Sequence, residues 1–127
     1  MRRIFNTDNY PSTKGRPYSQ AIIANGFLFV SGSSPRNPKT GIKPTTLREQ
    51  TLQALTNIKA LLEDAGTSID NVVKATVYLK DLKDYEAMNE VYATFFKEGQ
   101  PARTCIAVSD LPGGNLFEIE VIAVLSE

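Results

Sequence analysis

Histidine and tryptophan are absent from this 127-residue chain, and cysteine occurs once. Without histidine the commonest acid/base group near neutral pH and the commonest zinc ligand are both missing. Ser-His-Asp triads, Cys-His chemistry and His-based metal centres are therefore excluded. One thiol cannot close an intramolecular disulfide or supply a Cys-based metal site. Lys plus Arg and Asp plus Glu each number 14, so the net charge is zero and no overall field favours nucleic acid or an anionic membrane. No apolar run reaches the roughly 20 residues that span a bilayer, and Met1-Arg2-Arg3-Ile4-Phe5-Asn6 lacks the apolar stretch of a secretory signal. A cytoplasmic protein is expected, whose chemistry rests on Arg, Glu, Tyr, Cys, Ser, backbone groups or water.

Hydrophobic residues make up 42% and charged residues 22% of the chain, the balance of an ordinary globular domain. The length suits one domain over residues 1–127. Residues 21–24 and 27–31 flank Asn25-Gly26, a pair that favours a two-residue hairpin turn. Ser31-Gly32-Ser33-Ser34-Pro35 ends the second strand, and a polar loop follows to Gly41. Thr46 with Glu49 fits a capping box, and Leu47, Thr51, Leu55, Ile58, Leu62 and Ala65 then recur at helical spacing up to Gly66. Val73, Ala75, Val77 and Leu79 alternate with Lys74, Thr76, Tyr78 and Lys80, which predicts a strand with one buried face. A second helix is expected from about Asp84, with Tyr85, Met88, Val91, Tyr92 and Phe95 as its core stripe and Gly99 beyond its end. Residues 103–108 and 117–125 read as two final strands joined across Leu111-Pro112-Gly113-Gly114-Asn115.

This order implies an α+β layer with two helices on one face of a sheet of about five strands. In the last strand Phe117, Ile119, Val121, Ala123 and Leu125 share one face, and Glu118, Glu120, Ile122 and Val124 share the other. Neither face is a simple solvent face, so a homo-oligomer that buries Ile122 and Val124 is expected.

The chemistry concentrates in Gln100-Pro101-Ala102-Arg103-Thr104-Cys105 and in Glu118 and Glu120. Arginine keeps its charge in any protein environment and offers a planar fork of donors, so Arg103 among apolar strand residues needs an anionic or polar partner. A ligand carboxylate is one candidate, and a structural ion pair to Glu118 or Glu120 is the other. Glu120 should lie roughly 6–7 Å beyond Glu118 along the strand and reads as structural or interfacial. Cys105, with no histidine to lower its pKa, reads as a wall residue. Gly32 reads either as a tight turn or as a place of close ligand approach, and Tyr78, Tyr85 and Tyr92 as packing residues.

Pro17-Tyr18-Ser19-Gln20-Ala21, Val30-Ser31-Gly32, Val72-Val73-Lys74-Ala75-Thr76-Val77, Pro101-Ala102-Arg103-Thr104-Cys105 and Phe117-Glu118-Ile119-Glu120-Val121-Ile122-Ala123 together resemble the RidA/YjgF family of reactive-intermediate deaminases. The resemblance runs over nearly the whole chain. It implies a chorismate-mutase-like α+β subunit with a mixed sheet, assembled as a homotrimer with clefts between subunits. The implied activity is hydrolysis of 2-imino and enamine acids, such as 2-iminopropanoate and 2-iminobutanoate, to 2-oxo acids and ammonia without cofactor or metal. Arg103 would clamp the substrate carboxylate and Glu118 would hold or deprotonate the attacking water. Tyr18, Gly32, Asn89 and Cys105 would line the substrate site.

Two departures fall near that site. Arg16 separates Gly15 from Pro17, where the family pattern runs glycine directly into proline, and Ser33-Ser34 replaces a more usual Gln-Ile. The resemblance also leaves open a dicarboxylate substrate such as 2-aminomuconate, a regulatory or chaperone-like binding role, and a translation-inhibiting ribonuclease. Neutral charge and the lack of histidine weigh against RNA.

Overall fold

In the computed structural model, which describes residues 1–125, the chain runs β1 (Arg3–Phe5), β2 (Ala21–Ala24), β3 (Phe27–Ser33), α1 (Leu47–Asp64), β4 (Val72–Leu79), α2 (Tyr85–Phe95), β5 (Ala102–Ala107) and β6 (Phe117–Val124). Ser126 and Glu127, the end of the expected span, lie outside the described residues. The strands form one mixed sheet in the order β1-β2-β3-β6-β4-β5. β4 and β5 are parallel and every other pair is antiparallel. The last strand in sequence is thus central, and β5, which carries Arg103, is an edge.

Local chemistry accounts for most boundaries. Asn25 and Gly26 adopt φ of 53° and 82°, the left-handed pair a two-residue hairpin needs between β2 and β3. Thr46 Oγ1 accepts the Glu49 N–H at 3.2 Å and Gly66 takes φ 86° just past α1, so the cap and stop read from sequence are both in place. The turn before β6 bends at Pro112–Gly114, but the strands it joins are not neighbours, because β4 lies between them.

Both helices cover the face that carries Leu28, Val30, Ala75, Val77, Leu79, Phe117, Ile119, Val121 and Ala123. Leu55, Ile58, Leu61 and Leu62 of α1 and Met88 of α2 fill that core and are fully enclosed. Two details differ from the sequence reading. β1 is an additional strand of three residues, too short to show alternation. In β4, Val72 pairs with Ala123 and Lys74 with Ile122, a bulge that leaves Val73 without a pairing position. Val72 is therefore the buried residue, and Val73 is 43% exposed rather than part of the core face.

Among the described residues no helix lies on the other sheet face. Ile4, Phe29, Ile106 and Val124 lie exposed there, with Glu118, Glu120 and Tyr78 toward one end. No helix among the described residues is long and apolar enough to cross a membrane.

Gln20 ties residues 7–11 to the start of β2. Its side chain is buried, Nε2 donates to the carbonyls of Thr7, Tyr10 and Pro11, and Oε1 accepts the Thr7 N–H at 2.8 Å. Gln20→Met keeps the volume and removes these bonds. A loss of roughly 1–3 kcal/mol in urea unfolding is expected, with faster hydrogen exchange at Thr7.

Candidate functional site

α2 and β5 together build a seat for one guanidinium. Tyr85, Asn89 and Tyr92 stand at i, i+4 and i+7, so all three share one stripe of the helix. Arg103 Nη1 donates to Asn89 Oδ1 at 2.7 Å and Nη2 to the Tyr85 hydroxyl at 3.2 Å. The cation lies 4.7 Å from the centroid of the Tyr92 ring and 5.7 Å from that of Tyr85. Tyr92 in turn stacks on Phe96 at 4.5 Å. Tyr92 is thus both a core residue and a wall of the arginine seat, whereas Tyr85, expected in the core stripe, is exposed and serves the seat alone, a role the packing-only reading missed. The signal was their helical spacing with Asn89.

Among the described residues Arg103 has no carboxylate partner. The ion pairs among the described residues join Arg48 to Glu90, Lys59 to Glu63 and Lys83 to Asp81. The ion pair to Glu118 or Glu120 considered from sequence is excluded by topology. Arg103 pairs with Ala75, which pairs with Val121, so all three point to the helical face, whereas Glu118 opposite Tyr78 points to the other. Cys105 lies on the same face as Arg103, half-buried against the core. Burial raises its thiol pKa more than the Arg103 cation lowers it, so it is held as a neutral wall residue.

Glu118 belongs to a second group. Val30 pairs with Val121 and Ser33 with Ile119, so Ser31 and Gly32 together oppose the single residue Glu120. This bulge brings the Gly32 backbone against the Glu118 side chain. A Cβ at Gly32 would stand 2.5 Å from Glu118 Oε2, so a larger residue here would displace the Glu118 carboxyl from its present position, and the backbone dihedral makes no demand for glycine. Tyr18, Gly32, Glu118 and Glu120 line one open groove of about 960 Å³, joined by Arg16, Lys43 and Asn115. Burial pushes the Glu118 carboxyl above the usual carboxylate range, and the neighbouring Glu120 charge adds to it. Glu120 accepts a 2.6 Å hydrogen bond from the Tyr78 hydroxyl, which raises the Tyr78 pKa to about 12 and keeps that phenol a donor.

The structure therefore gathers Tyr18, Gly32 and Glu118 in one place and Arg103, Asn89 and Cys105 in another. It does not bring the two groups together within a chain. Arg103 and Glu118 are two strands and three residues apart, roughly 14 Å at the backbone, and they face opposite ways. A molecule a few bonds long cannot touch both side chains of one copy.

A small α+β protein is thus defined, with an uncompensated arginine at one sheet edge and a carboxylate of raised pKa in a groove on the opposite face. Residues 8–125 match the family model described as Endoribonuclease L-PSP, and the chain belongs to this family, the YjgF/RidA family. A RutC family protein of Pyrococcus horikoshii is 52% identical over 124 residues, covering 97% of this chain and 98% of that one. The 2-iminobutanoate/2-iminopropanoate deaminase of Escherichia coli K12 is 41% identical over 127 residues, covering 98% of each chain. The crystal structure of E. coli TdcF with bound serine matches with a TM-score of 0.90 at 39% identity, covering 98% of this chain and 99% of that one.

Glu118 is half-buried, and its partial desolvation disfavours the anion. Because its folded pKa is raised, its favourable contribution exists at low pH and is lost as pH rises through that folded value. Glu118→Gln is accordingly expected to raise the melting temperature at pH 8, with the advantage shrinking as pH falls toward 4. Thermal unfolding across that range checks it.

Proposed function

We propose that the protein hydrolyses 2-imino acids to 2-oxo acids and ammonia, in clefts where Arg103 of one copy meets Glu118 of another in a homotrimer. The observation that carries this reading is the Arg103 seat. A permanent cation is fixed by a neutral amide, a phenol and two aromatic faces, and is left without the carboxylate its fork matches. The apolar helix-free face of the sheet supports association, since Phe29, Ile106 and Val124 are large exposed residues on one surface. The deaminase name of the E. coli relative and the amino acid bound by TdcF supply the ligand class.

The chemistry needs positioning more than activation. A protonated 2-imino acid is an electrophile at C2. Arg103 would take its carboxylate through two charge-assisted hydrogen bonds, each worth roughly 1.5–3 kcal/mol. Asn89 and Tyr85 hold the fork so that little orientational freedom remains to be lost. Glu118, as carboxylate, would accept a proton from water as the water oxygen bonds to C2 and the C=N π pair moves to nitrogen. Protonated Glu118 would then return that proton to the carbinolamine nitrogen; the C–N bond breaks with its pair leaving on ammonia, and the hydroxyl loses its proton to water as C=O forms, giving the 2-oxo acid. A positioned base of this kind contributes roughly 10²–10⁴-fold. Tyr18 and Gly32 would bound the substrate, and Cys105 would close the arginine side as a neutral wall.

The endoribonuclease description of the family model names another class of activity. Fourteen basic and 14 acidic residues and no histidine give that reading little support in this chain.

Two outcomes are expected. Arg103→Ala and Glu118→Gln should each lower kcat/KM for 2-iminopropanoate by at least about 100-fold. Mixed trimers refolded from equal amounts of the two variants should regain roughly a quarter of wild-type activity, because random assembly makes that share of clefts intact in both residues. No recovery on mixing would place both residues in one copy's site and sink the shared cleft. Second, Glu120→Gln removes a negative neighbour, so the acid limb of the kcat/KM profile should move to lower pH. A limb that stays in place would remove Glu118 as the titrating base.

A further inference from the structure

The bulge behind Glu118 is held by a part of the chain that the reaction above leaves without a role. Ser31, its first residue, donates its N–H to the Gln20 carbonyl at 2.9 Å and its hydroxyl to the Ser19 carbonyl at 2.6 Å, and its own carbonyl accepts from the Tyr10 hydroxyl at 3.2 Å. The last of these bonds is made by a side chain of the N-terminal segment.

Tyr10 is 4% exposed, packs in the hydrophobic core and lines the Glu118 groove. Its main-chain carbonyl accepts from Gln20 Nε2 at 3.3 Å, so the residue is fixed at its backbone as well as at its tip. The Ser33 hydroxyl, just past the bulge in sequence, faces the same phenol. Burial raises the phenol pKa above its ordinary value, so the group stays neutral and remains a donor. A phenylalanine would fill the same space in the core. The hydroxyl therefore has a purpose other than packing, and its partner is a carbonyl at the point where the regular ladder of β3 is interrupted.

Gly32, the second residue of the bulge, brings bare backbone against the Glu118 carboxyl. Whatever fixes Ser31 also fixes that approach. We infer that Tyr10 is a positioning residue for Glu118: through the Ser31 carbonyl its hydroxyl holds the Gly32 backbone against the carboxylate, keeping that group in place and partly shielded from water. The inference rests on the imine-hydrolase reading, in which Glu118 is the base. Tyr10 itself touches no reacting atom, since its proton is already given to Ser31.

Among the described residues the titratable and charged groups that face Glu118, besides Tyr10, are Glu120 on its own strand, Tyr78 of β4, Arg16 and Tyr18 of the N-terminal segment, and Arg36 and Lys43 of the loop after β3. Tyr10→Phe changes none of these charges. A change in Glu118 titration in that variant therefore reports the solvation of the carboxylate. Release of the bulge admits water, favours the anion and lowers the pKa.

The test compares the wild type, Tyr10→Phe and Thr7→Val. Thr7→Val cuts the 2.6 Å hydrogen bond from the same segment to Asp64 and leaves the bulge untouched. The Glu118 carboxyl is titrated by NMR in protein carrying 13C-labelled glutamate, with Glu118→Gln identifying its resonance, and turnover of 2-iminopropanoate is followed across pH. In Tyr10→Phe the Glu118 pKa and the acid limb of kcat/KM should both move down by about half a unit or more. At the pH optimum kcat should fall about tenfold while KM stays within about twofold, because the Arg103 seat is not disturbed. Thr7→Val should match the wild type in every one of these quantities. An unmoved Glu118 titration in Tyr10→Phe, or an equal shift in Thr7→Val, overturns the positioning role while the imine reading stands. If the wild type does not accelerate imine loss over buffer, the imine reading falls, and the titration alone decides whether Tyr10 holds Glu118.

Discussion

Among the described residues Arg103 has no counter-charge, and the local architecture follows from holding it. A guanidinium cannot shed its proton, so seating one in partly apolar surroundings requires compensation from dipoles and aromatic faces. Asn89 gives one oxygen at 2.7 Å, Tyr85 another at 3.2 Å, and Tyr92 gives a ring face at 4.7 Å. None is an anion, so the compensation is incomplete by a full charge. The edge position of β5 matters equally, because its outer side has no neighbouring strand in the chain and remains accessible.

The same sheet holds the complementary group on its other face. Strand alternation sets the directions of Arg103 and Glu118, and β4 between β5 and β6 sets their separation. No rotamer change in either side chain reverses the face from which it leaves the backbone. The Arg103 group and the Glu118 group do not meet within one copy, which is the geometry the proposed shared cleft would require. The helix-free face, with Phe29 and Val124 exposed beside the Glu118 end, is the surface on which another copy could supply the missing half.

Much of this was legible in sequence. The alternation of Phe117, Ile119, Val121 and Ala123 gave the buried face of β6, the Asn25-Gly26 pair gave the hairpin, and Thr46 with Glu49 gave the start of α1. The belonging of Arg103 and Glu118 to separate groups was not legible, since it depends on β6 entering the sheet between β3 and β4, and pairing order leaves no periodic trace. The bulges were hidden for a related reason. One extra residue at Val73 or at Ser31-Gly32 changes register without changing composition, so Val73 looked like a core position and Gly32 like a turn. Asn115 was read only as part of a turn, because its burial is set by tertiary contacts of the Pro112–Gly114 bend.

The Ser31-Gly32 bulge also explains how Glu118 can be poised without being neutralised. A regular pairing would have placed a side chain over the carboxylate or left it in open water. The extra residue puts bare backbone there, close enough that even a methyl group would collide with Oε2. The carboxylate is desolvated by backbone and groove walls, with a like charge on Glu120 held in place by Tyr78. Those influences raise its proton affinity in the same direction, while the side chain keeps its reach into the groove. A base of higher pKa is a stronger acceptor as long as it stays ionised at working pH, so in the proposed reaction the partial burial that disfavours the anion would also equip the residue for proton transfer.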